Sequence, residues 1–444
     1  MRTAARVCVV GAGLAGCEAA WQLARRGVPV TLVEMKPLRL SPAHRSPDFA
    51  ELVCSNSLRA AAVENAVGLL KEEMRRLGSL VMAAADECAV PAGRALAVDR
   101  VAFARRIHEA VESHPGIRVE HRVVSQLPDE GLAVLASGPL TAPELAGDLA
   151  RVLGEEHLYF YDALSPILFA DSIDSVQTFR ASRWEEGPGD YLNLPLDEAA
   201  YRAFVAGLLA ADTVPLHPFE AALYFEGCLP IEEMARRGPE TLAHGPMKPV
   251  GLVDPRTGRR PFAVVQLRQE DKRGVLYNIV GFQTKLRVGD QQRLLRTLPG
   301  LAEARFARFG SVHRNTYINA PKVLLPTLEL RVRPGLFVAG QMAGVEGYVE
   351  SAALGLLAGV NAAHAAQGRA PLRPPETTAH GALLRYLMDA DPRRFQPMNV
   401  SWGLFPPLPE PPRRTPRHER HASLARRALE DLAPWAEAIA PSSA

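Results

Sequence analysis

Cysteine is scarce in this 444-residue chain, and its five copies lie far apart, at Cys8, Cys17, Cys54, Cys88 and Cys228. No two form a CxxC pair, which argues against a structural zinc site and leaves no expected metal centre. An odd count at wide spacing also argues against a disulfide framework and fits free thiols in a reducing cytosol. Long apolar runs are missing too: none approaches the roughly 20 residues needed to span a bilayer. The first apolar run starts at Val7 and reads as a strand, not as a secretory leader. A cytoplasmic protein is the expectation. Excess charge of one sign is also lacking. Fifty-one Lys and Arg against 49 Asp and Glu give a net charge of +2, which does not by itself point to nucleic acid. Arginine far outnumbers lysine, and no function follows from that alone. No internal repeat or long low-complexity segment is visible.

What is present is organised around one loop, Gly11-Ala12-Gly13-Leu14-Ala15-Gly16. The apolar run at 7–10 leads into it, a helical pattern over 17–26 follows, and a second apolar run over 28–33 ends on Glu34. Strand, glycine turn, helix, strand is the opening βαβ unit of a dinucleotide-binding domain. Gly11 permits the tight turn, Gly13 lets the backbone approach a pyrophosphate, and Gly16 lets the helix pack close to the sheet. The helix N-terminus offers unpaired N–H groups and partial positive charge to phosphates. Glu34 stands near the spacing of roughly 20 residues expected of a carboxylate that bonds a ribose hydroxyl. An acid there argues against a 2′-phosphate on this nucleotide. The competing account is a glycine-rich turn in an ordinary α/β protein.

Further along, helical patterns are expected at 68–77, 81–86 and 101–113, and strands at 96–99, 117–124 and 132–136. The last ends in Ser137-Gly138, a strand–glycine ending that commonly closes the first flavin-binding segment of two-dinucleotide flavoproteins. From about 159 to 308 the texture changes to aromatics, prolines and short strand-like runs such as 262–267 and 276–280. The dinucleotide domain then resumes with a strand at 336–339, the glycine-dense stretch from Gly340-Gln341 to Gly347-Tyr348, and a helix from Ser351 to about residue 366. That helix N-terminus could face the flavin edge where reduced flavin carries negative charge. The alternative is one more βα unit. The expected fold is α/β, a Rossmann-like, glutathione-reductase-type FAD-binding domain with an inserted α+β domain. The division is 1–158, 159–308 as the insertion, and 309–444 with a basic, proline-rich tail. In that tail Arg413, Arg414, Arg417, Arg420, Arg426 and Arg427 crowd together with His418 and His421. Such a cluster attracts phosphate backbones, although a charge run is more often a solvated face.

Two cysteines stand out by context: Cys54 beside Ser55, Asn56 and Ser57, and Cys228 in a turn-like stretch ahead of Glu232, Glu233 and His244. Taken alone, a cysteine is more often a packed small residue than a nucleophile. Cys8 belongs to the first strand and Cys17 to the first helix, while Cys88 has no assignment.

Eight stretches together carry a resemblance to a known family. They are Val10-Gly-Ala-Gly-Leu-Ala-Gly16, Glu51-Leu-Val-Cys-Ser-Asn-Ser-Leu-Arg59, Gly138-Pro-Leu-Thr141, Glu226-Gly-Cys-Leu-Pro-Ile-Glu-Glu-Met234, Gly245-Pro-Met-Lys-Pro-Val-Gly251, His313-Arg-Asn-Thr-Tyr317, Gly340-Gln341 through Ser351, and Phe395-Gln-Pro-Met-Asn399. Over nearly its whole length the chain resembles the bacterial folate- and FAD-dependent tRNA (uracil-5-)-methyltransferases, the TrmFO family. The glycine motifs are shared by many flavoproteins; the Cys54, Cys228 and His313 stretches are far more specific. The related MnmG/GidA flavoproteins share the FAD segments but are much longer. The resemblance implies methylation of carbon 5 of a uridine in the tRNA T-arm, forming 5-methyluridine. Methylenetetrahydrofolate is implied to supply the carbon, reduced FAD the hydride, and NADH or NADPH the electrons that regenerate it. It implies FAD contacts from Gly11 to Gly16 and at Glu34, Gly138, Gly340, Gln341, Gly347, Tyr348 and Ser351. Cys228 is implied to add to uracil C6. Cys54 is implied at the flavin, to shield a reactive flavin-bound methylene or to move a proton, and His313 to stack on the folate pterin. Arginines of the inserted domain and of the tail would hold the RNA backbone. An FAD-dependent oxidoreductase acting on a small molecule would explain the glycine motifs but give the two cysteines no paired role, and a tRNA-binding flavoprotein without activity would keep its RNA affinity in Cys228→Ala and transfer no methyl group in either form.

Overall fold

The computed structural model describes residues 6–154, 158–184, 187, 189–215, 229–408 and 416–441. Its central layer is a six-stranded sheet. The strands run in the order Glu329–Leu330, Arg333–Val338, Ala133–Leu135, Val7–Val10, Val30–Glu34, Ile117–His121, and all neighbours are parallel except the first pair. Val134 pairs with Val9 on one side and with Phe337 on the other, so a strand from late in the chain completes a sheet begun by the first residues. The inner strands Val7–Val10, Val30–Glu34 and Ala133–Leu135 are near-continuous apolar runs because helices cover both faces of a parallel sheet.

Two helices pack against each other with almost no side chains between them. Leu14–Arg25 meets Tyr348–Ala366 where Gly355 lies against Ala15 and Gly359 against Ala19. A Cβ on Gly355 would fall 2.3 Å from the Ala15 carbonyl oxygen. The later helix is apolar nearly all round and is buried from Val349 to His364 apart from Ser351.

A second six-stranded sheet, antiparallel throughout, is ordered Phe179–Arg180, Tyr191–Leu196, Ala263–Gln269, Leu276–Ile279, Ile167–Phe169, Phe306–Arg308. Its core of Leu194, Leu196, Val265, Leu267 and Ile279 is covered by the Glu198–Ala210 helix through Tyr201, Phe204 and Leu208. The chain reaches this sheet along Leu158–Ala163 and leaves along Val312–Tyr317, and these two strands pair with each other.

Several element ends differ from the sequence expectation. The first helix starts at Leu14, not at residue 17, because Gly13 is already its extended N-cap and Gly16 lies in its first turn. The later helix starts at Tyr348, ahead of Ser351, with Gly347 as its cap at φ 108°. The strand expected over 117–124 ends at His121. Among the described residues, the stretch beyond Gly368 carries two α-helices, Ala379–Asp389 and Arg417–Ala438. The second buries Ala425, Ala428, Leu432 and Trp435 in the core that also holds the central sheet, while Arg417, Arg420 and Arg426 remain exposed. Arg413 and Arg414 lie outside the described residues.

The first of these helices is fixed at its N-terminus by a fully buried carboxylate. Glu73 accepts from Ala379 N at 2.6 Å, His380 N at 3.1 Å and His380 Nδ1 at 2.7 Å, and Thr378 caps the same turn through Gly381 N. Removing that carboxylate strands three buried donors. Glu73→Ala should cost about 3 kcal/mol or more. In limited proteolysis the first new cuts should fall after residue 370, and an unchanged urea midpoint would show that the anchor is dispensable.

Candidate functional site

Three glycines of the opening loop do different work. Gly11 sits at φ +99°, and a Cβ there would lie 2.6 Å from the Ala136 carbonyl oxygen. A Cβ on Gly16 would lie 1.7 Å from the Gly11 carbonyl oxygen, so this glycine is what lets the helix rest on the turn. Nothing lies within 4 Å of the Cβ position of Gly13. The fold demands the first and third glycines and leaves the middle one facing open space, as a pyrophosphate cradle requires. Glu34 is buried: one oxygen accepts from Ala12 N at 2.6 Å and the other from Lys36 N at 2.9 Å. Each oxygen keeps a further lone pair. A small cleft of about 50 Å³ lies alongside, lined by Gly11, Glu34, Met35, Ser137 and Thr141 among others. Gly138, between the lining residues Ser137 and Thr141, does not itself line it; it sits at φ 74°, its carbonyl accepting from Thr141 Oγ1 at 2.7 Å.

A larger cavity of about 340 Å³ opens between the two sheets. Cys54, Gln341, Gly347, Tyr348 and His313 all line it. Gly340, at φ +75°, lies behind it against Ala15, and Ser351 sits one turn into the helix, bonded to Gly347 O at 2.9 Å; neither lines the cavity. The helix Tyr348–Ala366 therefore points its N-terminus at this space, with Glu350 buried in its first turn and paired with Arg59.

The Cys54 loop is gripped from several sides. The Tyr348 hydroxyl accepts from Cys54 N at 2.7 Å and from Ser55 N at 3.3 Å. Burial and the neighbouring Cys54 push the Tyr348 phenol up, so it stays protonated. Arg268 donates to Ser55 Oγ at 2.6 Å and Asn56 Oδ1 at 2.9 Å. Arg100 donates to Leu52 O at 2.5 Å while pairing with Glu270, and Arg308 donates to Val53 O. Cys54 is half-buried and lines the cavity.

His313 Nε2 lies 3.0 Å from Ser311 Oγ, and burial, then the Arg308 and Arg45 charges, lower its pKa to about 4. His44, bonded to Ser41 Oγ at 2.5 Å, is likewise lowered to about 4, first by burial and then by Lys36. Both rings are neutral at pH 7. Cys228 lies outside the described residues. The described chain resumes at Leu229, and Ile231 N donates to the carbonyl of Gln283, a lining residue, at 2.7 Å.

Several lining residues were not singled out from the sequence. Arg268 and Asn278 are cross-strand partners on the second sheet, whereas Asn315, on the connecting strand, belongs to the His313–Tyr317 stretch already quoted. Asn278 is 3% exposed, and its Nδ2 has no hydrogen-bond partner. Their signal is slight: a polar residue closing or interrupting an apolar strand run looks like the end of the strand. Among the described residues no group of three or more His, Cys, Asp or Glu is arranged to hold a metal ion, and no helix is long and apolar enough to cross a membrane.

A family model for glucose inhibited division protein A matches residues 6–370. The chain is 59% identical over 430 residues to a Desulforudis audaxviator protein, covering 97% of this chain and 98% of that one. It is 57% identical over 427 residues to one from Heliobacterium modesticaldum, covering 96% and 97%. Both relatives are named methylenetetrahydrofolate--tRNA-(uracil-5-)-methyltransferase TrmFO. Two crystal forms of Aquifex aeolicus GidA superpose with TM-scores of 0.71 and 0.73 at 16% and 17% identity. They cover 99% of this chain and 74% and 76% of those chains, a likeness of fold.

The two half-buried histidines give a pH prediction. The unfolded chain protonates them near pH 6.5, whereas the folded chain resists until about pH 4. The unfolded state therefore binds more protons in that window, and stability falls as pH drops through it. Melting temperature should fall between pH 7 and pH 5, and by less in a His44→Gln/His313→Gln variant. An equal fall in both proteins would assign the loss to other groups.

Proposed function

This chain belongs to the glucose inhibited division protein A family and, within it, to the TrmFO methyltransferases, and from that membership we propose how its residues divide the work. It is an enzyme that methylates uracil carbon 5 in tRNA with methylenetetrahydrofolate, and it uses a flavin. The finer reading is that the flavin is FAD, that the target uridine lies in the T-arm, and that NADH or NADPH is the reductant. Bound in reduced form, FAD supplies the hydride that completes the methyl group.

The residues fit such a dinucleotide. The open face over Gly13, at the N-terminus of the Leu14–Arg25 helix, suits a pyrophosphate, with N–H donors and the helix dipole directed at it. Glu34 keeps lone pairs for a ribose hydroxyl beside the small cleft. The N-terminus of the Tyr348–Ala366 helix favours negative charge at the redox end. The unpartnered Nδ2 of Asn278 offers a buried donor to whatever fills the cavity.

Within this reading, residues 1–158 and 309–444 form the FAD-binding domain and 159–308 an inserted one. His313, a neutral planar ring at the cavity wall, stacks on the folate pterin. Uracil C5 is a poor nucleophile until something adds at C6. Cys228 adds there as the thiolate, making C5 enolate-like; C5 bonds the methylene carbon and gives up its proton, and the C6–S bond breaks as the hydride completes the methyl group. Cys54, held at the rim by the Tyr348 hydroxyl, shields the reacting carbon or moves a proton. The uridine must leave its stack to enter, which costs a few kcal/mol. Arginines of the insertion and the exposed Arg417, Arg420 and Arg426 hold the phosphate backbone.

The observation that carries the reading is one cavity shared by Cys54, His313, Tyr348 and Asn278. The test mixes the flavin-loaded protein with unmodified tRNA, NADPH and methylenetetrahydrofolate labelled in the methylene carbon. Label should appear as 5-methyluridine with the natural chain and fall below about 1% of that rate in Cys228→Ala, the order expected when a covalent nucleophile is lost, and in Cys54→Ala, the order expected when a proton-transfer group is lost. NADPH turnover that needs neither tRNA nor folate, with no label in RNA, would leave a small-molecule oxidoreductase in its place.

A further inference from the structure

Trp184 is the one large aromatic side chain among the described residues that the fold leaves mostly in solvent, at 66% exposed, and its backbone sits at φ +65°. A bulky side chain rarely adopts that conformation, and glycine would adopt it without strain. Little burial offsets the strain. Such a residue persists only where its surroundings impose it.

The surroundings do impose it. Arg183, the residue before, is anchored through Nε to Gln266 Oε1 at 2.9 Å and through Nη1 to Val250 O at 2.9 Å. Gln266 is itself held by Asn193. At the other end of the loop Asp190 N donates to Ser182 Oγ at 2.8 Å, and Asp190 Oδ2 accepts from Gly93 N at 2.6 Å. One side of the indole rests on Gly251, where an added Cβ would lie 3.1 Å from the ring, leaving the rest of the ring to solvent. The Glu185 and Glu186 that follow lie outside the described residues.

The platform shares a sheet face with the cavity. Gln266, which anchors Arg183, and Arg268, which lines the cavity, are two residues apart on the strand Ala263–Gln269, so they project from the same face about 7 Å apart. Along residues 248–260 the chain carries Lys248, Arg256, Arg259 and Arg260 against one carboxylate, Asp254, which is paired with Arg256. Lys248, Arg259 and Arg260 are exposed. An aromatic face set among cations is how proteins hold unpaired bases, by stacking the base and attracting its phosphate.

We propose that Trp184 stacks on an unpaired base of the RNA loop, a neighbour of the uridine that enters the cavity, and so holds the loop open over the site. This rests on the reading of the chain as a tRNA methyltransferase. The stack is a non-covalent contact and adds no step to the reaction.

The test uses the flavin-loaded, full-length protein and an unmodified tRNA transcript. Trp184→Gly removes the ring and relieves the backbone. It should keep the flavin absorption spectrum and a melting temperature no lower than that of the natural chain, yet bind the transcript about tenfold or more weakly. The loss should be equal at low and high salt, because stacking releases no counterions, whereas the affinity change in Arg259→Ala/Arg260→Ala should shrink as salt rises. Trp184→Phe should restore most of the affinity. In the natural chain indole emission should drop when the transcript is added, and most of that drop should be absent from Trp184→Phe. Natural-level affinity in Trp184→Gly, or an equal emission change in Trp184→Phe, overturns the proposal while leaving the enzyme's activity in place. Failure of the natural chain to methylate the transcript would overturn the functional reading itself.

Discussion

The close approach of two helices far apart in sequence is the constraint on which the rest of the structure depends. Leu14–Arg25 and Tyr348–Ala366 touch through Ala15, Ala19, Gly355 and Gly359, with carbonyl groups where side chains would ordinarily stand. Ala15 faces Gly355 and Ala19 faces Gly359, so the helices run in the same direction and both N-termini point to one side of the sheet. The later helix extends from Gly355 back to Tyr348, about 10 Å at 1.5 Å per residue. Two positive helix ends are thereby offset along one line. One sits at the glycine turn, and the other at the cavity that Cys54 and His313 share.

The second constraint is polar. Arg268 and Arg308 come from the second sheet, and Arg100 reaches across to Glu270, yet all three hydrogen-bond the stretch from Leu52 to Asn56. A loop with few apolar residues gains its order from the neighbouring layer instead of from its own packing. Changes far from Cys54 in sequence therefore reach the thiol through one guanidinium. Hydrogen bonds to charged groups are worth about 1.5–3 kcal/mol each, so losing one arginine is enough to loosen the loop.

Much of the glycine architecture was legible in the sequence, because Gly11, Gly16 and Gly347 mark backbone demands that no other residue meets, while Gly13 leaves the face over the turn open. The exact helix starts were not. Leu14 and Tyr348 look like loop residues until Gly13 and Gly347 are seen to be caps. The Cys54 stretch and the His313 stretch, which includes Asn315, pointed to the cavity, but Arg268 and Asn278 did not, since each is a polar residue within a largely apolar strand. Their meaning comes from cross-strand register and from the facing loop, which sequence order does not display. The segment beyond Gly368 was read by its charge and proline content. Its buried stripe of Ala425, Ala428, Leu432 and Trp435 is spaced at three to four residues and is diluted by the arginines between.

The strand order of the central sheet also governs how the chain can be made. Ala133–Leu135 has Val7–Val10 on one side and Arg333–Val338 on the other. During synthesis its second neighbour is missing until some 200 further residues have left the ribosome, an interval of roughly 10–40 s at bacterial elongation rates. Throughout that time the nascent chain carries a short apolar strand with an unpaired edge, the template on which sheets of different chains join. The intervening residues have their own antiparallel sheet and core to form in the interval. A chain stalled between residues 308 and 333 would hold one finished sheet and one open one, which makes that stretch the point at which translation and aggregation compete most directly.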